Sequence, residues 1–284
     1  MDHRLSRPVV ARFVAGDGLE DGVCAIAKLN QRGIGGILDL LGEGVTDPES
    51  ASQAADEYLA SIKLIEEAAI DTTVTIKLTQ LGLAFDKAEC IDYVRRLATE
   101  ARSIGTYIEI DMEQSPFVGD TLEVYRALHT EFNDIRLAVQ AYLRRTPADL
   151  QAMADLRPKI RLIKGAYSES PEVAVQKKGE IDAQFAWLTD WLLANGKDPA
   201  IGTHDGALID HCIASAGRAG TGKEGFELQF LYGIRRDLQQ HLADEGYRTR
   251  VYVPFGSAWY PYLMRRMAER PANLRFFLRA LAGD

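Results

Sequence analysis

The sequence predicts a (β/α)8 barrel, an α/β fold, and three observations carry that expectation. Eight short β-rich segments recur along the chain, each followed by a stretch with the apolar spacing of a helix. They recur at intervals of roughly 25 to 35 residues, enough for one strand, one helix and the turns between them. The chain has 284 residues, and eight such units need about 250. The segments are short and often apolar on both faces, as a parallel sheet covered by helices requires, and a closed barrel accommodates eight units better than an open doubly wound sheet. No linker or low-complexity stretch divides the chain. One domain is therefore expected over 1–284, with an N-terminal helical segment at 1–32, the barrel at 33–257, a helix at 258–271 and a tail at 272–284.

Taken in order, residues 9–31 carry spaced apolar positions that predict two short helices around Gly16 and Gly18. Gly36 to Leu40 is apolar and too short for a helix between its glycines, so it is the first strand. Pro48 to Ile70 is a long amphipathic helix, with proline at its start. The alternation then sets in: strand Thr73–Leu78, helix Asp86–Ser103, strand Gly105–Asp111, helix Thr121–Phe132. Strand Ile135–Gln140 leads to a weak helix at Pro147–Leu156, and strand Lys159–Lys164 to a long helix at Val173–Ala194. Strand Ala200–Thr203 precedes helix Ala207–Ala216, and strand Glu224–Phe230 precedes helix Arg235–Glu245. The last strand, Thr249–Pro254, feeds a helix that begins near Trp259 and that Pro271 stops.

Composition narrows the function. Apolar residues make up 46% and charged residues 26%, an ordinary globular balance. The net charge of -8 argues against a nucleic-acid surface, but leaves room for a local positive pocket, because an anion answers to the local field. Cys24, Cys90 and Cys212 lie far apart and match no zinc or iron–sulfur spacing, which predicts reduced thiols. The N-terminus lacks the apolar core of a signal peptide, and no apolar run approaches the ~18 residues of a membrane span.

In a barrel of this kind the site forms where the strands end. Here those ends are polar: Asp39, Lys77, Asp111, Gln140, Arg161 with Lys164, Thr203 with His204 and Asp205, Gln229, and Tyr252. A buried unpaired polar group is costly, so polar ends on nearly every strand point to a shared site. Lys77, Arg161, Lys164, Arg265 and Arg266 would ring it with cations, suited to a phosphate and a carboxylate. The alternative is structural ion pairing with Asp39, Asp111 and Glu113. On the last helix, Tyr262, Arg265, Arg266 and Glu269 fall at spacings of three and four, so they share one side. That side either receives a small anion or is a solvated face on which Glu269 pairs with an arginine.

Several motifs fail. Gly217–Lys223 has phosphate-loop spacing, but Glu224 stands where Ser or Thr should be, and the loop precedes a strand instead of following one. Gly33–Gly36 enters a strand and is no dinucleotide fingerprint. His204 and Asp205 are adjacent on extended chain and point apart, the other histidines form no cluster with them, and no metal is expected. Asp111 with Glu227 would make a glycosidase pair, yet a cation-rich site lowers carboxylate pKa values where a general acid needs a raised one. A phosphate- or sugar-processing barrel enzyme and a non-catalytic anion-binding protein stay open on these residues alone.

Nine segments in one order go further: Leu38–Glu43 (LDLLGE), Ile76–Gly82 (IKLTQLG), Ile110–Glu113 (IDME), Val139–Tyr142 (VQAY), Leu162–Tyr167 (LIKGAY), Gly202–Asp205 (GTHD), Phe226–Gly233 (FELQFLYG), Val251–Gly256 (VYVPFG) and Tyr262–Arg266 (YLMRR). Across about 27–273 the chain resembles proline dehydrogenase in its short bacterial monofunctional form, and is similar to the proline dehydrogenase domain of the bifunctional proline utilisation flavoenzyme. The resemblance implies a distorted barrel whose last helix lies over the mouth as a lid. It implies FAD as cofactor and oxidation of L-proline to Δ1-pyrroline-5-carboxylate by hydride transfer, with electrons passed to a membrane quinone. It further implies a cytoplasmic protein, peripheral at the inner membrane, in transient contact with pyrroline-5-carboxylate dehydrogenase.

Matched position by position, Arg265 and Arg266 fall on the pair that grips the proline carboxylate, assisted by Lys77. Asp111, Tyr167, Leu231, Tyr252 and Tyr262 match the proline pocket, and Glu269 matches a carboxylate near the pair. Met112, Val139, Gln140, Arg161, Lys164, Gly165, Ala166, Thr203, His204 and Gln229 match or adjoin flavin positions, with Arg161 near flavin N5 and Gln140 at the isoalloxazine ring. Two departures are modest: Ser168 stands where many relatives have an aromatic residue, and Ala258 where an acidic residue would cap the lid helix.

Overall fold

The computed structural model describes residues 10–42 and 44–269, and of 266–269 the backbone alone. Pro271 as helix stop and the tail at 272–284 fall outside the described residues. Eight parallel strands close a barrel in sequential order, β1 pairing with β8. They are β1 (Gly35–Leu40), β2 (Thr72–Ile76), β3 (Ile108–Ile110), β4 (Arg136–Gln140), β5 (Ile160–Ile163), β6 (Ala200–Gly202), β7 (Glu227–Leu231) and β8 (Thr249–Phe255). The helices are α1 (Leu19–Asn30), α2 (Pro48–Ala68), α3 (Lys87–Ser103), α4 (Val118–His129), α5 (Thr146–Gln151), α6 (Lys178–Asn195), α7 (Gly206–Arg218), α8 (Arg236–Asp244) and α9 (Trp259–Glu269). Aspartates start three of them. Asp47, Asp86 and Asp205 accept from Ser50 N, Glu89 N and Ala207 N at 2.9, 3.0 and 3.2 Å, satisfying amide groups that a helix start leaves open.

Several stretches depart from the sequence reading, among them the strand expected from Gly105, which begins at Ile108, and the helix expected to Leu156, which ends at Gln151. Residues 173–177 do not join α6. Ala174 forms a β-bridge with Leu143, and Val175 N–H donates to the Tyr142 carbonyl at 2.8 Å, so backbone groups a helix would use are engaged by the chain after β4. The strand expected from Glu224 begins at Glu227, after a 3-10 turn over Lys223–Gly225. Helix α4 starts at Val118, ahead of Thr121, because a 3-10 turn over Ser115–Phe117 leads straight into it.

The expectation of strands apolar on both faces also needs correction. The outward residues are apolar: Leu38, Val74, Ile108, Leu137, Leu162, Leu228 and Val251 are buried against the helices in one continuous core. The inward parity is mixed, with Ile37, Ala138, Ile163 and Ala200 apolar and most of its other positions polar. The register pairs Thr75 with Glu109 and Glu109 with Arg136, and it continues through Arg161, Glu227 and Arg250. Arg136 is fully buried there, between Glu227 at 2.8 Å and Glu109 at 3.4 Å. An ionic layer thus fills the lower barrel, where branched apolar residues are usual.

Helix α1 explains why α9 is available for the site. It packs its buried Val23, Ala25, Ile26 and Leu29 against β1 and β8. The approach is close, since a Cβ at Gly36 would meet Ile26 Cγ2 at 2.6 Å. Burying Ile26 completely stabilises this docking by about 1.5–3 kcal/mol. With α1 on that outer face, α9 turns over the strand ends. Tyr262 and Leu263 of α9 form a second small cluster with Phe13, Val14 and Leu41.

Candidate active site

A cavity of about 550 Å³ opens at the carboxyl ends of the strands, within the size range of ligand pockets. Its floor is an ion cluster. Lys77, next after β2, donates to Asp39 Oδ1 at 2.5 Å and lies 3.2 Å from Asp111 Oδ2. Tyr252 donates to Asp111 Oδ2 at 2.6 Å. Arg161 bonds Asp111 Oδ1 on one side and Glu109 Oε2, at 3.2 Å, on the other. The pairing reading is therefore realised for Lys77 and Arg161 with Asp39 and Asp111, while these residues also line the cavity. It is not realised for Glu113, which accepts from Thr79 N at 3.0 Å and from Thr79 Oγ1 at 2.5 Å.

Burial would raise the Asp111 carboxyl, but Arg161, Lys77 and the Tyr252 hydroxyl outweigh it and hold it at about 2. Asp39 goes the other way: burial, joined by the charge of Asp111, raises it against the pull of Lys77. Burial would lower the Lys77 ammonium, yet Asp39, Tyr252 and Asp111 keep it well above its ordinary value. The Tyr252 hydroxyl is pushed up by burial and then by Asp111, so it stays a neutral donor.

One wall comes from the chain after β5. Lys164, Gly165, Ala166 and Tyr167 line the cavity, and Lys164 is shared between Asp182 and Asp205, the latter at 3.1 Å. Gly165 holds φ +137°, and a Cβ there would meet the Tyr142 ring at 2.3 Å. Gly165→Ala is expected to lower stability by about 1–3 kcal/mol through strain in a glycine-only backbone region. Chemical denaturation of wild type and variant would measure it.

The opposite wall is β6 to β8. Thr203, His204, Gln229, Leu231 and Tyr252 line it. His204 Nε2 accepts the Leu231 N–H at 2.9 Å, which assigns the ring proton of a neutral imidazole to Nδ1. From above, α9 contributes Tyr262 and Arg265, with the Arg265 guanidinium 5.5 Å over the Tyr167 ring.

Met112 also lines the cavity, so the cavity gathers nearly all the residues expected from the sequence. Val139 and Gln140 stand behind the wall. Val139 is buried in the core, and Gln140 ties Ala166 N (3.2 Å) to the Glu113 carbonyl (2.8 Å). The side chains of Arg266 and Glu269 lie outside the described residues. Glu227 sits in the lower ionic layer with Arg136 and Arg250, below Asp111. The Gly217–Lys223 loop joins α7 to β7 at the other end of the barrel.

Six lining residues had no site role assigned from sequence: Asp39, Ile163, Lys178, Gly202, Asp205 and Phe230. Asp39 and Asp205 carried the strand-end signal. Lys178 was hidden inside a helix expected to start at Val173, and the three uncharged ones carry no chemical signal.

A family model for proline dehydrogenase matches residues 23–279. Proline dehydrogenase 1 of Bacillus subtilis subsp. natto is 39% identical over 270 residues, 95% of this chain and 89% of the relative. Proline dehydrogenase of Deinococcus radiodurans is 40% identical over 275 residues, again 95% and 89% of the two chains. Among solved structures, proline utilization A from Bdellovibrio bacteriovorus, inactivated by N-propargylglycine, matches with a TM-score of 0.86 at 24% identity. That match covers 93% of this chain and 32% of the other, so this chain spans about a third of the longer protein and the likeness shows the fold alone. Because the family match runs through every barrel strand and through α9, the chain belongs to the proline dehydrogenase family of FAD-linked oxidoreductases.

Proposed function

We propose that the strand-end cavity oxidises L-proline to Δ1-pyrroline-5-carboxylate by hydride transfer to bound FAD, which passes the electrons on to a membrane quinone. The observation that carries the reading is the entry of Arg265 on α9 into the same cavity as Lys77, Asp111, Arg161 and Tyr252.

The residues present fit a flavin. Gln229 Oε1 is buried without a donor in the cavity wall, as an acceptor awaiting a ring N–H would be. Lys164 and Lys178 place cations at the edge where a pyrophosphate would need them. Gly165 and Gly202 keep the wall bare of side chains. Arg161, Met112, Ala166, Thr203 and His204 would complete the cradle. Val139 and Gln140 would support it from behind, Gln140 by fixing Ala166.

For the substrate, Arg265 and Arg266 would take the carboxylate and Lys77 would add charge. Leu231, Tyr252, Tyr167 and Tyr262 would pack the ring, and Asp111 would hold Tyr252 and Arg161 in place. Glu269 would steady the arginine pair. The protein's contribution is positioning and electrostatics. The quinone acceptor and a peripheral contact at the inner membrane follow from the family resemblance, as does handover of product to pyrroline-5-carboxylate dehydrogenase. No described helix is long and apolar enough to cross a membrane.

The test is spectroscopic. Purified protein is expected to show flavin bands, and L-proline is expected to bleach them without oxygen. FAD-loaded protein that proline leaves unbleached would sink the reading, and bleaching only by another imino acid would move the substrate.

A further inference from the structure

The two carboxylates that share Lys77 are not equivalent. Both oxygens of Asp111 are engaged: Oδ1 by Arg161, Oδ2 by Tyr252 at 2.6 Å and by Lys77 at 3.2 Å. Asp39 engages one oxygen. Its Oδ1 accepts from Lys77 at 2.5 Å, whereas Oδ2 accepts no hydrogen bond, although the residue is 1% exposed and lines the cavity. A buried carboxylate oxygen without a donor is costly, and such an atom calls for an explanation. A ligand bearing an N–H donor supplies one.

An imino acid brings such a donor. Its ring ammonium carries two N–H groups, and one proton must leave before the nitrogen lone pair can form a C=N bond. We infer that Asp39 Oδ2 receives the substrate ammonium and accepts its proton. This rests on the proposed function. In the step, an N–H bond breaks and an O–H bond forms on Asp39. The freed lone pair then forms C=N as the neighbouring ring C–H leaves as hydride, its two electrons going to the flavin. The Asp39 proton passes to solvent before the next turnover.

The surroundings agree. The titratable groups facing Asp39 are Lys77 after β2, Tyr252 of β8, Asp111 after β3 and Tyr58 of α2, with Arg161 of β5 behind Asp111. Burial, with the charge of Asp111, raises the Asp39 carboxyl, whereas Arg161 and Lys77 overcome burial at Asp111 and keep it ionised. Paired groups pushed apart in this way divide into a proton acceptor and a permanent anion.

Two measurements on the holoenzyme test this. One is the pH dependence of anaerobic flavin reduction at saturating L-proline. The other is ligand binding to the dithionite-reduced enzyme, which does not turn over. In the wild type the rate is expected to fall on the acid side as Asp39 takes up a proton. Asp39→Asn is expected to slow reduction on the order of 100-fold or more and to abolish that acid limb. It is also expected to weaken binding of L-proline while sparing cyclopentanecarboxylate, which has the ring and carboxylate but no amine. An Asp39→Asn enzyme that keeps the acid limb, or that loses both ligands equally, overturns the inference. Should Asp39→Asn fail to hold flavin, Asp39→Glu decides: a shifted acid limb supports the role and an unshifted one overturns it. Wild-type enzyme that L-proline does not reduce overturns the proposed function and this inference with it. Normal wild-type reduction with an unaffected Asp39→Asn overturns this inference alone.

Discussion

Arg136→Met is expected to destabilise the fold by about 3–5 kcal/mol, read as a lower denaturation midpoint in urea. Methionine fills much of the same space, so the loss comes from charge and not from an empty cavity. Arg136 is fully buried and answers Glu227 at 2.8 Å, Asp198 at 3.0 Å and Glu109 at 3.4 Å. Replacing the whole ionic layer by apolar residues could be neutral, but removing one member strands the others without water.

The effect should also depend on pH. Burial would raise the Glu227 carboxyl, yet Arg136 and Arg250 outweigh it and hold it well below the usual range. A carboxyl with a depressed folded pKa contributes stability that is present above its unfolded value of about 4.3 and is lost as pH falls through the folded one. Without Arg136 that contribution shrinks. The difference between wild type and variant is therefore expected to be full near neutrality and to narrow as pH drops below about 4.3. A difference independent of pH would show that packing, and not charge, explains the role of Arg136.

That layer marks the limit of what the sequence made legible. Ile135 to Gln140 reads as a strand from its β-branched and apolar content, and its end is visible without knowing its neighbours. Which side of it faces inward depends on register, and register depends on a pairing such as Glu109 with Arg136 that one chain does not display. Strand ends need only boundaries, which is why Lys77, Asp111, Arg161 and Tyr252 are legible as strand-end residues, and all four line the cavity. Lys178 failed for the opposite reason. Its placement required knowing that Ala174 bridges to Leu143 and so delays α6. The arrival of α9 over the mouth was implied only by family resemblance, because α1 takes the outer face partly through packing on β8, where Gly22 approaches Phe255, and that contact is distant in sequence.

Arg265→Met is expected to lower kcat/KM for L-proline by about 100- to 1000-fold, mostly through KM. Lys77 and Arg161 are held by Asp39, Asp111 and Glu109, and Lys164 and Lys178 by Asp182 and Asp205. Arg265 enters the cavity from α9 with its guanidinium 5.5 Å over the Tyr167 ring, where its fork can meet a substrate carboxylate. A grip on the carboxylate is made before and during hydride transfer alike, and uniform binding of that kind appears in KM more than in kcat. Arg265→Lys should fall between, because it keeps a point charge and loses the fork. Steady-state kinetics with L-proline separate these outcomes. Removing the guanidinium should not release the helix, since Tyr262 and Leu263 still pack on Phe13, Val14 and Leu41. An unchanged KM in Arg265→Met would therefore locate the carboxylate grip elsewhere, on Arg266 or on the floor at Lys77.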